Sequence, residues 1–139
     1  MQLRKDDEIP SITKNIDQNK IMRWAQLSGD FNRLHVDPEY AKKTRFKGTI
    51  AHGPMSLAFL NELMMNCLGQ GWVNGGRLLE VRFLSPIRPG DQILIGGRVE
   101  ALYQEGGSSW AECGLSITKA DGQVAVTGRA VGPLREERL

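Results

Sequence analysis

An almost uninterrupted apolar stretch over residues 54–68, PMSLAFLNELMMNCL, restricts the possible folds of this chain more than any other feature. Gly69 follows it directly, as expected for a helix that ends at a glycine. The polar residues within it are Ser56, Asn61, Glu62 and Asn66. A helix that is apolar on nearly all sides has to be buried, because a surface helix keeps one polar face. The rest of the chain must therefore cover it.

The second half of the chain contains alternating segments that can supply this cover. Apolar and polar residues alternate over residues 79–83, 93–103, 111–117 and 124–130. Asp121-Gly122, between the last two segments, is a hairpin turn signal. Alternation with one polar face is typical of an antiparallel sheet that packs one side on the core. With a further strand over 9–17, we predict an α+β domain in which a meander of four or five strands curls around the long helix.

Capping residues predict two further helices before the long one. Asp17 is a suitable N-cap for a helix that ends at Gly29. Asp37-Pro38 places an N-cap before a proline at the first helical position, and predicts a short helix through Lys43. Residues 29–36 between these helices are predicted to form a turn, and the long helix is predicted to begin near Pro54.

Length and charge exclude several classes of protein. The 139 residues suit one domain over 1–139. A net charge of +2, scattered along the chain, gives no indication of nucleic-acid binding. No apolar run reaches membrane-spanning length and no signal peptide is visible at the start, so a cytoplasmic location is expected. Cys67 and Cys113 lie far apart, which favours reduced thiols over a disulfide or a zinc site.

Three polar residues stand together between the two short helices. Asp30, Asn32 and His35 fall in the predicted turn, where polar groups are readily presented to a cleft. A carboxylate and an imidazole that share one water are an arrangement for general acid–base catalysis, while an asparagine can fix the turn. The residue types alone also allow a purely structural role, in which Asp30 caps, Asn32 turns the chain and His35 is simply exposed.

The step His52-Gly53-Pro54 opens the long helix. Gly53 precedes a proline and should be extended, so that its N–H is free at the helix start. Free N–H groups at a helix N-terminus stabilise negative charge, such as a phosphate or a developing oxyanion. The same residues also fit a simple helix start, in which His52 packs or caps rather than reacts.

Together these two segments resemble a known family. SGDFNRLH followed by FKGTIAHGPMSLAFL is similar to the signature of the MaoC-like hydratases, a G-D-x-N-P-L-H turn and then an I-[AV]-H-G-M step. The resemblance extends over essentially the whole chain in element order. That family includes the (R)-specific enoyl-CoA hydratases and has the hot-dog fold. The resemblance therefore implies a single hot-dog domain, an antiparallel sheet wrapped around a central helix.

The resemblance also implies a reaction. The expected activity is syn addition of water to a trans-2-enoyl-CoA, giving an (R)-3-hydroxyacyl-CoA, or the reverse dehydration. Asp30 and His35 would hold the catalytic water, Gly53 N–H would bond the thioester carbonyl and Asn32 would hold the turn. No metal and no redox cofactor is expected, since a coenzyme A or acyl-carrier-protein thioester is itself the substrate. A homodimer or higher homo-oligomer is expected as well.

The chain departs from the family pattern at two positions, which makes its substrate harder to infer. Arg33 replaces the usual proline and Pro54 the usual methionine. The residues predicted to contact substrate are Asn32, Arg33, His52, Pro54, Phe59 and Asn61. Two other functions stay open: a hot-dog acyl-CoA thioesterase, and a non-catalytic subunit that binds acyl thioesters.

Overall fold

The structure is a computed structural model and describes residues 2–134. In chain order its elements are β1 (Glu8–Asn15), α1 (Gln18–Ser28), α2 (Arg33–Val36), α3 (Pro38–Ala41), α4 (Gly53–Leu68), α5 (Gln70–Gly75), β2 (Arg77–Phe83), β3 (Gln92–Glu105), β4 (Ser108–Lys119) and β5 (Val124–Pro133). The strands form a five-stranded antiparallel sheet in the order β1-β3-β4-β5-β2. The predicted α+β class is therefore confirmed.

Helix α4 forms the centre of the core, as its composition predicts. Leu60, Leu63 and Met64 are fully buried and belong to one apolar cluster with Ile95 and Ile117 of the sheet. The helix is not covered on every side, however, because Met65 is 42% exposed. The prediction of complete burial is wrong on that side, since a single sheet contacts only one side of a helix.

The predicted meander is correct for three strands and wrong for the order of the others. β3, β4 and β5 follow one another as antiparallel neighbours, and Gly122 takes a φ of 92° in the tight turn between the last two. β2 instead lies at the far edge, paired with β5. Helix α5, which the sequence analysis did not predict, brings the chain there, because Trp72 packs against Gly132 of β5.

The capping signals before α4 are confirmed. Asp17 accepts a hydrogen bond from Lys20 N–H at 2.8 Å, and Gly29 ends α1 with a left-handed φ of 79°. Asp37 caps α3 in the same way, although α3 ends at Ala41 and is shorter than predicted. The one-turn helix α2 lies inside the predicted turn. Within residues 2–134, no helix has the length and apolar character needed to cross a membrane.

Candidate active site

Asp30 lies immediately after the end of α1, in a segment fixed by two side-chain turns. Its carboxylate oxygen Oδ1 accepts a hydrogen bond from Asn32 N–H at 3.1 Å. Asn32 makes the same kind of turn, in which a side-chain oxygen accepts from the N–H two residues later. Its Oδ1 accepts from Leu34 N–H at 3.0 Å, and this bond caps the start of α2. Asn32 therefore fixes the turn, as the residue type predicts. The side chain of Asp30 stays exposed and keeps its second oxygen available.

The ring of His35 is oriented by a backbone carbonyl. Its Nδ1 lies 2.8 Å from the carbonyl oxygen of Ile50. A carbonyl oxygen only accepts, so Nδ1 carries the hydrogen and Nε2 of the neutral ring keeps its lone pair. The backbone of His35 is also held, because Gln18 Nε2 donates to its carbonyl at 2.8 Å and Gln18 Oε1 accepts from Thr49 at 2.7 Å.

His52 lies beneath both residues and is only 1% exposed. Its Nε2 lies 3.0 Å from the main-chain oxygen of Asp30, so that Nε2 is the donor. Its ring stacks on that of His35, with a centroid separation of 3.9 Å and an interplanar angle of 27°. His52 therefore contacts both members of the predicted catalytic pair.

The three side chains converge on one small volume. One polar atom each of Asp30, His35 and His52 lies within 4.8 Å of the others. Two hydrogen bonds of about 2.7–3.2 Å through a shared water span such a separation. A carboxylate and two imidazoles also suit a divalent transition metal by ligand type. Each ring donates one N–H to a backbone carbonyl and has a single lone pair left, which can accept a hydrogen bond from water or bind a metal.

Gly53 is the first residue of α4, directly after His52. Its N–H lies in the first turn, where backbone donors have no partner within the helix. No backbone acceptor outside the helix takes this hydrogen among residues 2–134. A Cβ at position 53 would lie 3.3 Å from the ring of Phe83. The glycine therefore presents an available donor next in the chain to His52, with an aromatic ring near its Cα.

Two residues predicted to contact substrate are occupied by other partners. Nε and Nη2 of Arg33 bond Asp37 at 3.1 and 3.0 Å, and its guanidinium lies 4.4 Å above the ring of Tyr40. Asn61 accepts from the indole N–H of Trp72 at 2.9 Å and donates to its own helix. Their contacts with substrate, and that of the exposed Pro54, stay predictions.

Phe59, which was predicted to contact substrate, lines a cavity. The cavity has a volume of about 240 Å³ and lies between α1 and the first turns of α4, with Trp24, Met55 and Phe59 among its walls. A larger one of about 830 Å³ lies against β1, β3 and β4, away from the cluster. Neither is lined by Asp30, His35 or Gly53.

Burial of His52 predicts a stability that depends on pH. Desolvation lowers the pKa of His52 below its ordinary 6.5, an effect that the nearby His35 reinforces and the Asp30 carbonyl partly offsets. Below about pH 6.5 His52 binds a proton more readily in the unfolded chain than in the folded chain. The free energy of unfolding therefore falls as pH falls. We expect the urea concentration at the unfolding midpoint to be lower at pH 5.5 than at pH 7.5. This decrease should be smaller in His52→Gln than in the natural chain.

That pH window is separate from the titration of Asp37. The Tyr40 N–H and the Arg33 side chain hold the pKa of Asp37 below 3.8, so its contribution is lost only at more acidic pH. If the urea midpoint fell equally in the natural chain and in His52→Gln between pH 7.5 and pH 5.5, the pH dependence of stability would not come from His52.

The supporting residues of this site were not predicted from the sequence. The acceptor for His35 is the carbonyl of Ile50, and backbone groups leave no signal in residue types. Gln18 and Thr49 look like an ordinary helix residue and a loop residue. The single available signal was His52 itself, a polar side chain directly before an apolar helix, which suggested packing or capping. It does pack, but it makes no side-chain cap.

Sequence comparison finds one family and several relatives. The model of the MaoC-like domain family matches residues 4–107. An (R)-specific enoyl-CoA hydratase from Aeromonas caviae is 32% identical over 121 residues, which are 86% of this chain and 87% of that protein. An enzyme of the same name from Rhodospirillum rubrum is 34% identical over 102 residues, 73% of this chain and 69% of that protein.

Comparison with solved structures also finds hydratases. The unliganded R-hydratase from Pseudomonas aeruginosa is 27% identical and superposes with a TM-score of 0.82 over 99% of this chain and 85% of that one. The (R)-hydratase of Aeromonas caviae that takes part in PHA biosynthesis is 31% identical, with a TM-score of 0.76 over 96% and 98% of the two chains.

Proposed function

Because this chain belongs to the MaoC-like domain family, and has its hot-dog fold, we propose that it is a hydro-lyase that acts on 2-enoyl thioesters. It adds water to a trans-2-enoyl-CoA to give an (R)-3-hydroxyacyl-CoA, or removes water in the reverse direction. The observation that supports this most directly is the convergence of Asp30 and His35 to within 4.8 Å, with a lone pair on His35 Nε2.

The chemistry assigned to the pair is an acid–base exchange around one water. Asp30 and His35 bind the water and take one of its protons while its oxygen bonds to C3 of the enoyl group. The pair then returns a proton to C2, so that one water is added to the double bond and both side chains recover their starting state. General acid–base catalysis of this kind contributes about 10²–10⁴-fold to a rate.

Gly53 is assigned to the carbonyl of the substrate. Attack at C3 moves electrons through the double bond onto the thioester oxygen, so negative charge develops there. An N–H without an acceptor at the start of a helix is suited to stabilise that charge. Pro54 has no N–H, which leaves Gly53 as the donor at this helix start.

The substrate and cofactor assignments also follow from this chemistry. The thioester is carried by coenzyme A or by an acyl carrier protein, and its carbonyl, with the Gly53 N–H as donor, accepts the negative charge that develops during the reaction. The proposed reaction therefore needs neither a metal nor a redox cofactor. The location in the cytoplasm stays a prediction.

Loss of the enoyl-thioester absorbance tests the proposed activity. We expect the protein to consume crotonyl-CoA or a longer 2-enoyl-CoA, to give the (R)-3-hydroxy product on chiral analysis, and to do so equally well with EDTA present. Absence of turnover on short, medium and branched enoyl-CoAs would contradict the proposal. Loss of activity in EDTA would contradict only the metal-free mechanism.

A thioesterase is the second candidate. Burial raises the pKa of Cys113 to about 12 and also raises the pKa of Cys67, which disfavours hydrolysis through a thiolate nucleophile, so hydrolysis would have to use a water that attacks the thioester carbonyl carbon. Release of free coenzyme A, measured with a thiol reagent, distinguishes hydrolysis from hydration. The third function, a non-catalytic subunit, predicts binding of acyl-CoA without turnover.

We also propose that two copies pair. Strand β2 forms one edge of the sheet, and Phe83 and the adjoining Leu84 are 56% and 59% exposed. Exposed edge strands pair readily with another strand, and apolar residues there favour a protein partner over water. We expect light scattering after size-exclusion chromatography to give at least twice the mass of one chain. Phe83→Asp, which adds a charge at this edge, is expected to shift the mass to that of the monomer.

A further inference from the structure

We propose that His52 is a positioning residue that holds Asp30 and His35 in one fixed arrangement, and does not itself contact substrate. The inference rests on the proposed hydro-lyase function, since the two residues that it positions are the proposed catalytic pair. The sequence predicted that His52 contacts substrate. Positioning of Asp30 and His35 is a different role, and it can be tested separately.

The first contact is the hydrogen bond to Asp30. His52 Nε2–H donates to the main-chain carbonyl of Asp30 at 3.0 Å. Asp30 follows directly on the end of α1, where the backbone of an exposed segment has few other restraints. The His52 N–H, at the start of α4, therefore anchors the backbone of Asp30. This fixes the point from which the Asp30 carboxylate extends.

The second contact is the stack on His35. The rings lie 3.9 Å apart at 27°, so His52 supports one face of the His35 imidazole. The Ile50 carbonyl holds its Nδ1 edge at 2.8 Å. One restraint on the face and one on the edge determine where Nε2 directs its lone pair. The water-binding atom of His35 is therefore aimed by residues outside the catalytic pair.

The surroundings of His52 suit this role better than a role in substrate binding. The residue is 1% exposed, whereas Asp30 is exposed and His35 is half-buried. Burial lowers the pKa of His52, so it stays uncharged beside His35 when that ring takes up a proton from the water. A charged neighbour would oppose that proton transfer, whereas a neutral ring does not.

Two substitutions separate the two contacts. His52→Gln keeps an N–H donor near the Asp30 carbonyl and loses the stacked ring, whereas His52→Phe keeps a ring and loses the donor. We expect kcat to fall about 10-fold in His52→Gln and about 100-fold in His52→Phe, because a misplacement near 1 Å can cost about 10²-fold. KM should change less than twofold in either protein. The partial rescue by glutamine is the signature of the hydrogen bond.

A core variant controls for lost stability. Ile95→Val removes one buried methylene from β3, away from the site, and is expected to lower the melting temperature with kcat unchanged. If the His52 variants lost no more kcat than this control, or if KM rose while kcat was constant, the proposal would be wrong. The second outcome would return His52 to substrate binding.

Imidazole ¹⁵N NMR provides a readout that does not depend on turnover. The chain has 2 histidines, so a His52 variant leaves His35 as the single source of these signals. We expect His35 to be held as the Nδ1–H tautomer by the Ile50 carbonyl in the natural chain, and its signals to broaden in His52→Gln because the ring loses the neighbour that supports its face. An unchanged His35 spectrum in both variants would overturn the proposal. If the natural chain hydrates no enoyl-CoA, the proposed function fails while this measurement still decides whether His52 orders His35.

Discussion

Asp30→Asn is expected to reduce the hydration rate by about 10²–10⁴-fold, the contribution typical of a general acid or base. The amide cannot take a proton from the water or return one to C2. The fold should be intact, because asparagine keeps the oxygen that accepts from Asn32 N–H at 3.1 Å and so preserves the turn. Steady-state kinetics with crotonyl-CoA, together with circular dichroism, measure both effects.

Asp37→Asn is the matched control for this substitution. It removes one carboxylate charge a short distance along the chain, where Asp37 caps α3 and binds Arg33. We expect a small loss of stability and nearly natural kcat, because Asp37 is not among the converging residues. If Asp30→Asn retained near-natural turnover, the carboxylate would have no part in the reaction and the assigned mechanism would be wrong.

Gly53→Pro is expected to reduce kcat by about 10²–10³-fold, as loss of one oxyanion donor does in other enzymes. Proline removes the N–H and is common at the first position of a helix, but the following Pro54 disfavours the helical conformation of any residue other than glycine at position 53. The preceding His52 already has φ −66° and ψ 139°, the extended conformation that a following proline requires. Kinetics on crotonyl-CoA measure the loss, and the melting temperature reports on folding.

Gly53→Ala separates the lost donor from the added side chain. Alanine keeps the N–H and places a Cβ 3.3 Å from Phe83, a tight contact that proline shares. The Phe83 ring has to shift by only a few tenths of an ångström to admit this Cβ, so we expect a loss of less than about tenfold in the alanine variant. Equal losses in the two variants would show that crowding against Phe83, and not the missing hydrogen bond, lowers the rate.

Local signals in the sequence predicted much of this fold. The Asp17 cap, the Gly29 end of α1 and the Asp121-Gly122 turn each depend on a few neighbouring residues, and the structure has all of them. The apolar stretch over 54–68 correctly predicted the central helix, and the two motifs correctly predicted the family. The convergence of Asp30 and His35 was predicted as well, because both lie in one short turn.

The errors concern features that depend on distant parts of the chain. Alternation in 79–83 identifies a strand but does not name its neighbour, so the pairing of β2 with β5 could not be predicted. The exposure of Met65 depends on how far one sheet extends around α4. The contacts of His52, a ring stack on His35 and a hydrogen bond to a carbonyl 22 residues earlier in the chain, are likewise not indicated by any pattern of residue types.

The bonds made by Gln18 have a consequence for how the protein tolerates change. This residue begins α1, and its side chain joins the carbonyl of His35 to the hydroxyl of Thr49. Gln18 therefore ties the backbone of His35 to the segment that carries Thr49. A replacement at Gln18 that cannot make both bonds is expected to lower the proposed hydration rate in a protein that still folds, although the residue lies outside the converging cluster.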